Sequence, residues 1–217
     1  MTDFASRRTM MVDTQVRPSD VTKFPIIDAM LHVAREDFVP AALREAAYMG
    51  ENLELGGNRM VLEPRSLAKM LDALDIDGDE LVLDVGAAFG YSAAVIARMA
   101  EAVIAVEEDE AMSAEAAEAL SAAGADNVVM HTGALSDGAP EHGPYDVVII
   151  EGGVEEIPAA LLAQVKDGGR IAAIFMQGAL GEARIGYKVD GKISWRMAFN
   201  AGAAVLPGFE AAHAFSL

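Results

Sequence analysis

Two acids and two glycines stand at a spacing that can hold a nucleoside. In the stretch LVLDVGAAFGYSAAVIA, residues 81–97, Asp84 is followed by Gly86 and Gly90, with Ala88 between them and Tyr91 directly after. Glycine lets the backbone turn sharply and approach a ligand closely. A second acid, Glu107, closes the next apolar run, AVIAV, and a carboxylate at such a strand end can accept both hydroxyls of a ribose. A glycine turn also occurs as plain structure. The acid one strand further on is what points this turn toward chemistry.

That arrangement needs a strand, a tight turn, the start of a helix and the end of a neighbouring strand. Short apolar runs recur at 81–85, 102–106, 127–131, 146–150 and 170–176, separated by helical segments at 108–123 and 158–165. Near-continuous apolar strands alternating with helices predict a doubly wound, mostly parallel α/β sheet covered on both faces. The later stretch ARIGYKVDGKISWRMAF alternates around Asp190-Gly191, which predicts an antiparallel hairpin at one sheet edge. Residues 211–216 are expected to add a further edge strand. The first 79 residues read as helical. Pro25 opens a helix with Ile26, Ile27, Met30 and Leu31 on its apolar face, and Pro64 opens another with Leu67, Met70, Leu71 and Leu74. No strand is expected before residue 80. The chain thus divides into a helical N-terminal lid on the substrate side, 1–79, and a ligand-binding domain, 80–217, forming one compact unit.

Composition narrows the partners. Of 217 residues, 53% are hydrophobic and 23% charged, as in a globular protein. With 34 acidic against 16 basic side chains the net charge is −18, which speaks against nucleic acid or an anionic membrane as a partner. The absence of cysteine excludes disulfides, thiolate metal sites and a cysteine nucleophile. The N-terminus has no apolar run of signal-peptide length and no segment is long enough to span a bilayer, so a cytoplasmic protein is expected. His32, His131, His142 and His213 lack metal-ligand spacing, and no metal is expected.

Two cofactors compete for the glycine turn. A dinucleotide fingerprint G-x-G-x-x-G would place its third glycine at position 91, where this chain has Tyr91. The pattern D-x-G-x-A-x-G has the spacing of the S-adenosylmethionine loop of class I methyltransferases. That ligand has no pyrophosphate, so Ala88 is tolerable in the middle position.

Over most of its length the chain resembles the protein-L-isoaspartate O-methyltransferase family. The resemblance lies in MVDTQVR, in DAMLHVAREDFVPAALREAAYMGENLELG, in VLDVGAAFGYSAAVIARM and in EEIPAALLAQVKDGGRIAAI, taken in order. It implies a Rossmann-like class I methyltransferase fold and S-adenosylmethionine bound by Asp84, Gly86, Ala88, Gly90, Tyr91, Glu107 and Gly133. It also implies a protein or peptide substrate carrying an isoaspartyl carboxylate. Methylating a carboxylate is a displacement by an oxygen already ionised at neutral pH, so it needs positioning and exclusion of water but no general base. No catalytic base is therefore named.

Three positions depart from the family's pattern. Leu62 stands where the family has a serine before its second helix. Ala134 stands where an aspartate would take the adenine amino group, with Ser136 and Asp137 as nearby substitutes. Glu151 replaces a threonine after the fourth strand, as an acid near the reaction centre or a solvated loop acid. These departures keep two alternatives open, a paralogue that binds without catalysing and a methyltransferase with another substrate. Oligomeric state is not legible. Elsewhere, Glu107 to Glu110 reads as one functional carboxylate followed by a solvated helix start, and the twelve methionines as core filler and initiator. Trp195 reads as a packing residue, and Arg35-Glu36 as an ion pair tying the N-terminal segment to the sheet.

Overall fold

The apolar runs of the second half form the centre of a seven-stranded sheet in the computed structural model, which describes residues 3–211. After the N-terminal helices α1 (Phe4–Met11), α2 (Phe24–His32) and α3 (Pro64–Leu74) come three parallel strands. They are β3 (Leu81–Val85), β4 (Ala102–Glu107) and β5 (Val128–Thr132), connected by α4 (Tyr91–Ile96) and α5 (Glu110–Ala122). Then follow β6 (Tyr145–Val154), α6 (Ala159–Ala163), β7 (Val165–Gln177), β8 (Leu180–Val189) and β9 (Lys192–Asn200). The strand order is β5-β4-β3-β6-β7-β8-β9, parallel through β7 and antiparallel at β7-β8 and β8-β9. This is the expected doubly wound sheet with an antiparallel edge. The order reverses at β3, and such a reversal opens a crevice at the carboxyl ends of the strands.

Local chemistry explains the boundaries. Pro64 at the start of α3 needs no N–H there, and Leu67, Met70, Leu71 and Leu74 bury one face before Asp75 ends the helix at φ 51°. Asp109 caps α5 by accepting from Met112 N at 2.9 Å. Asp190 and Gly191 both have positive φ, 49° and 73°, as a two-residue hairpin turn requires. One apolar cluster runs from Met11 through α2, α3 and α4 to the central strands, and a second, holding Leu83, Val85, Ile150, Leu206 and Phe209, covers the other face.

Four readings are corrected. A hairpin does precede residue 80, made of β1 (Leu53–Gly56) and β2 (Arg59–Val61) as a separate two-stranded sheet. Its strands are too short for a period-2 signal. Glu151 is no solvated loop acid: β6 runs on to Val154 and buries it. Arg35 does not pair with Glu36. It donates to the carbonyls of Ala47 and Leu62 at 2.6 and 2.7 Å, while Glu36 accepts from Arg8 and Tyr48. The histidines are not all scattered: His131 and His142 flank Glu141, with one potential ligand atom from each of the three lying within 4.8 Å of the others. Ala211 is not in a strand, and the rest of the expected last edge strand, with His213, lies outside the described residues.

Candidate active site

The turn between β3 and α4 is held by the strand beside it. Gly86 N and Ala87 N both donate to Val106 O, at 2.9 and 3.1 Å, which fixes the turn against the end of β4. Gly86 and Gly90 take φ of 87° and 90°, and Ala88 between them is also left-handed at 51°. The alanine therefore carries strain that glycine would not. Its backbone N–H, which glycine would offer equally, donates to Glu107 Oε2 at 2.9 Å. The open side of Gly90 faces Leu120 of α5, so this glycine serves helix packing as well as the turn. Gly133 N donates to Glu107 O at 3.1 Å, closing the site beyond β5.

Glu107 is fully buried. Its Oε1 accepts from Glu108 N and Asp109 N at 3.0 and 3.1 Å and from Arg59 Nε at 3.2 Å, and its Oε2 accepts from Ala88 N and Arg59 Nη2. Arg59 is the partner of Glu107 that sequence reading missed. It comes from β2, where the turn signal Gly56-Gly57-Asn58 was the available clue.

A string of buried polar groups continues from this pair. Ser92 Oγ donates to Asp84 Oδ2 at 2.6 Å. Burial pushes Asp84 up to about 7, against that hydrogen bond and the Arg59 charge and with help from Glu107. Burial also raises Glu151 well above the carboxylate range, reinforced by the charge of Asp84 and opposed by Arg35. The Arg35 guanidinium lies 4.6 Å from the centre of the Tyr91 ring, and burial lowers the pKa of the arginine while raising that of the tyrosine. Among the described residues six buried side-chain atoms lack a hydrogen-bond partner, and five belong to this string: Arg35 Nη1, Arg59 Nη1, Asp84 Oδ1, Tyr91 Oη and Glu151 Oε1. Buried polar atoms are ordinarily paired, so this concentration sets the region apart from the rest of the interior.

The segment after β9 roofs the site. Val205 bridges Gly153 in parallel, Leu206 N donates to Gly153 O at 2.9 Å, and Leu206 and Phe209 are fully buried. An ideal Cβ on Gly86 would lie 3.3 Å from Leu206 Cδ1, and one on Gly152 would lie 2.5 Å from Leu206 Cγ. Leu62 is 1% exposed and part of the apolar core, so its side chain offers the site nothing polar. Ala134 precedes a short turn whose Ser136 lies against Gly208.

The donor set suits an adenosyl ligand in kind: a strand-end carboxylate, a glycine turn and a buried acid at the first strand. Arg59 and Leu206 both stand against Gly86 of that turn.

Comparison with known proteins agrees with this architecture. Residues 7–191 match the profile of the family described as protein-L-isoaspartate(D-aspartate) O-methyltransferase. The chain is 35% identical over 171 residues to a protein-L-isoaspartate O-methyltransferase of Syntrophus aciditrophicus, covering 79% of this chain and 78% of that one. It is 37% identical over 170 residues to protein-L-isoaspartate O-methyltransferase 1 of Rhodopseudomonas palustris, covering 78% and 69%. A solved protein-L-isoaspartate O-methyltransferase shares the fold at TM-score 0.80 and 24% identity, over 93% of this chain and 66% of that one. A Plasmodium falciparum structure of the same description, in complex with S-adenosyl-L-homocysteine, does so at TM-score 0.79 and 16% identity, over 95% and 99%. By the profile match and the identity to these relatives, the chain belongs to the protein-L-isoaspartate(D-aspartate) O-methyltransferase family.

Proposed function

We propose that the protein is an S-adenosylmethionine-dependent O-methyltransferase acting on the isoaspartyl carboxylate of damaged proteins in the cytoplasm. One observation carries the reading beyond family membership: Asp84, the 86–90 turn and Glu107 converge at the strand-order reversal, as an adenosyl ligand requires. When bound, S-adenosylmethionine supplies a methyl group on a sulfonium leaving group. In this proposal Glu107 accepts the ribose hydroxyls, Gly86 and Ala88 line the nucleoside, and Asp84 and Tyr91 lie toward the amino-acid end. Gly90 shapes the turn and Gly133 closes the far side.

The substrate carboxylate is its own nucleophile, so the protein's task is to place it and keep water out. Burial and the neighbouring Asp84 both favour a neutral Glu151. A neutral carboxyl does not repel an anionic substrate and can donate a hydrogen bond to it. Arg35, also buried, is close enough for its charge to act on Glu151 and supplies positive potential there. The 1–79 segment supplies Arg35, Arg59 and Leu62 and acts as the substrate-side cover.

A second reading, a paralogue that has kept the fold without the reaction, is favoured by the Arg59–Glu107 pair and the buried Leu62. Methyl transfer from labelled S-adenosylmethionine to an isoaspartyl peptide, with the aspartyl peptide as control, tests the proposal. Selective labelling is expected. A folded protein that binds the cofactor and labels neither peptide supports the paralogue.

A further inference from the structure

We infer that Arg59 is a latch on the cofactor cleft, held in the ribose position by its own hairpin, so that an adenosyl ligand binds only when the guanidinium leaves Glu107. This rests on the methyltransferase reading.

The first argument is the hydrogen-bonding capacity of Glu107. An ionised carboxylate offers about four lone-pair sites. Here its two oxygens already accept from five N–H groups: Ala88 N, Glu108 N, Asp109 N, and Nε and Nη2 of Arg59. Nothing is left for a ribose. The three backbone donors belong to the turn and to the bend between β4 and α5, so Arg59 is the one donor that a change of side-chain rotamer alone can withdraw.

The second argument is space. Gly86 has no side chain, yet its open face is already closed. An ideal Cβ there would lie 3.3 Å from Arg59 Nη1 and 3.3 Å from Leu206 Cδ1. The close approach that glycine allows is taken up by the protein itself.

The third argument is where the side chain is carried. Arg59 sits on a hairpin of four and three residues outside the seven-stranded sheet, with a register irregularity between Glu54 and Gly56. Its turn, Gly56-Gly57-Asn58, has positive φ at all three residues. β2 itself is buried, with Met60 and Val61 in the apolar core, so the strand stays in place and the latch opens by rotation of the Arg59 side chain. Its closed position is also incompletely satisfied, since Arg59 Nη1 has no partner among the described residues. Glu108 lies within reach of the Arg59 charge and of the acids Asp109 and Glu210, an acidic rim able to receive the guanidinium when it swings out.

A protein whose competent state is a minor one binds with its affinity reduced by that fraction. Calorimetric titration of S-adenosylhomocysteine into the full chain should therefore show Arg59→Gln and Arg59→Met binding at least tenfold more tightly than wild type. Wild type binding as tightly as both variants would overturn the latch and leave the methyltransferase reading intact. No binding by any of the three folded proteins would overturn that reading and the latch with it. A measurement on wild type covers variants that fail to fold. The Arg59 Nε–H resonance in 15N spectra should be slow to exchange in the free protein and lose that protection at ligand saturation. Retained protection with ligand bound sinks the latch.

Discussion

Arg59, on the second strand of the small hairpin, donates to both carboxylate oxygens of Glu107 at the end of β4, and both side chains are buried. A buried pair of this kind contributes little relative to apolar residues of equal volume, but half of it is costly to leave behind. Glu107→Gln should destabilise the protein by about 3–5 kcal/mol in urea denaturation, because an uncompensated guanidinium remains inside. The double substitution Arg59→Met, Glu107→Gln should recover most of that loss, since the amide oxygen still accepts from the backbone N–H groups around residue 107. Additive effects in the cycle would show that the two side chains do not depend on each other.

Leu62→Ser should not rescue anything. The side chain is 1% exposed among apolar residues, so the change removes buried hydrocarbon and inserts a hydroxyl without a partner. A cost of about 2–4 kcal/mol is expected, with a fall of several degrees in Tm and no rise in isoaspartyl methylation. A stable variant with faster turnover would place residue 62 in the reaction after all.

Burial holds Asp84 near 7 and Glu151 well above the carboxylate range, so the folded state keeps these protons where the unfolded chain has lost them. For Asp84 the stabilising contribution is complete below its ordinary value of 3.8 and is lost as pH rises through about 7. For Glu151 the sign is the same: its contribution is complete below the ordinary carboxylate value and is lost as pH rises. Glu151→Gln should therefore gain stability relative to wild type as pH rises from acid to alkaline conditions. Thermal melts at pH 5 and pH 8 measure this. A difference independent of pH would mean that Glu151 titrates normally.

Ala88 occupies a left-handed backbone position at φ 51°. Ala88→Gly should raise stability by about 0.5–1 kcal/mol, the relieved strain being partly offset by the greater entropy of glycine in the unfolded chain. A loss in denaturation would show that the buried methyl group contributes more by packing than the strain costs.

Which of these features the linear chain could announce depends on how far apart the interacting residues lie. The runs at 81–85 and 102–106 became β3 and β4 with at most one residue of change, because a strand buried on both faces must be apolar throughout. Asp190-Gly191 announced its hairpin because only a few residues accept positive φ in succession. The turn bearing Gly86, Ala88 and Gly90, and the acid one strand later, were legible for the same reason: their geometry is local.

What meets that turn was not legible. Arg59 reaches Glu107 across 48 positions, Leu206 closes on Gly86 from the far end of the chain, and Arg35 passes its sequence neighbour Glu36 to bind Ala47 and Leu62. Glu151 became buried because β6 continued past its apolar run. Periodicity and spacing report which face of an element is apolar and where a backbone must bend. They carry no record of which distant charge is folded against a given carboxylate, since that follows from strand order and from the path of the chain over the sheet. Apolar runs, glycines and strand-end acids made the sheet and the turn legible in the chain. That an arginine from the N-terminal hairpin and a leucine from the C-terminal segment stand against Gly86 follows from the fold alone.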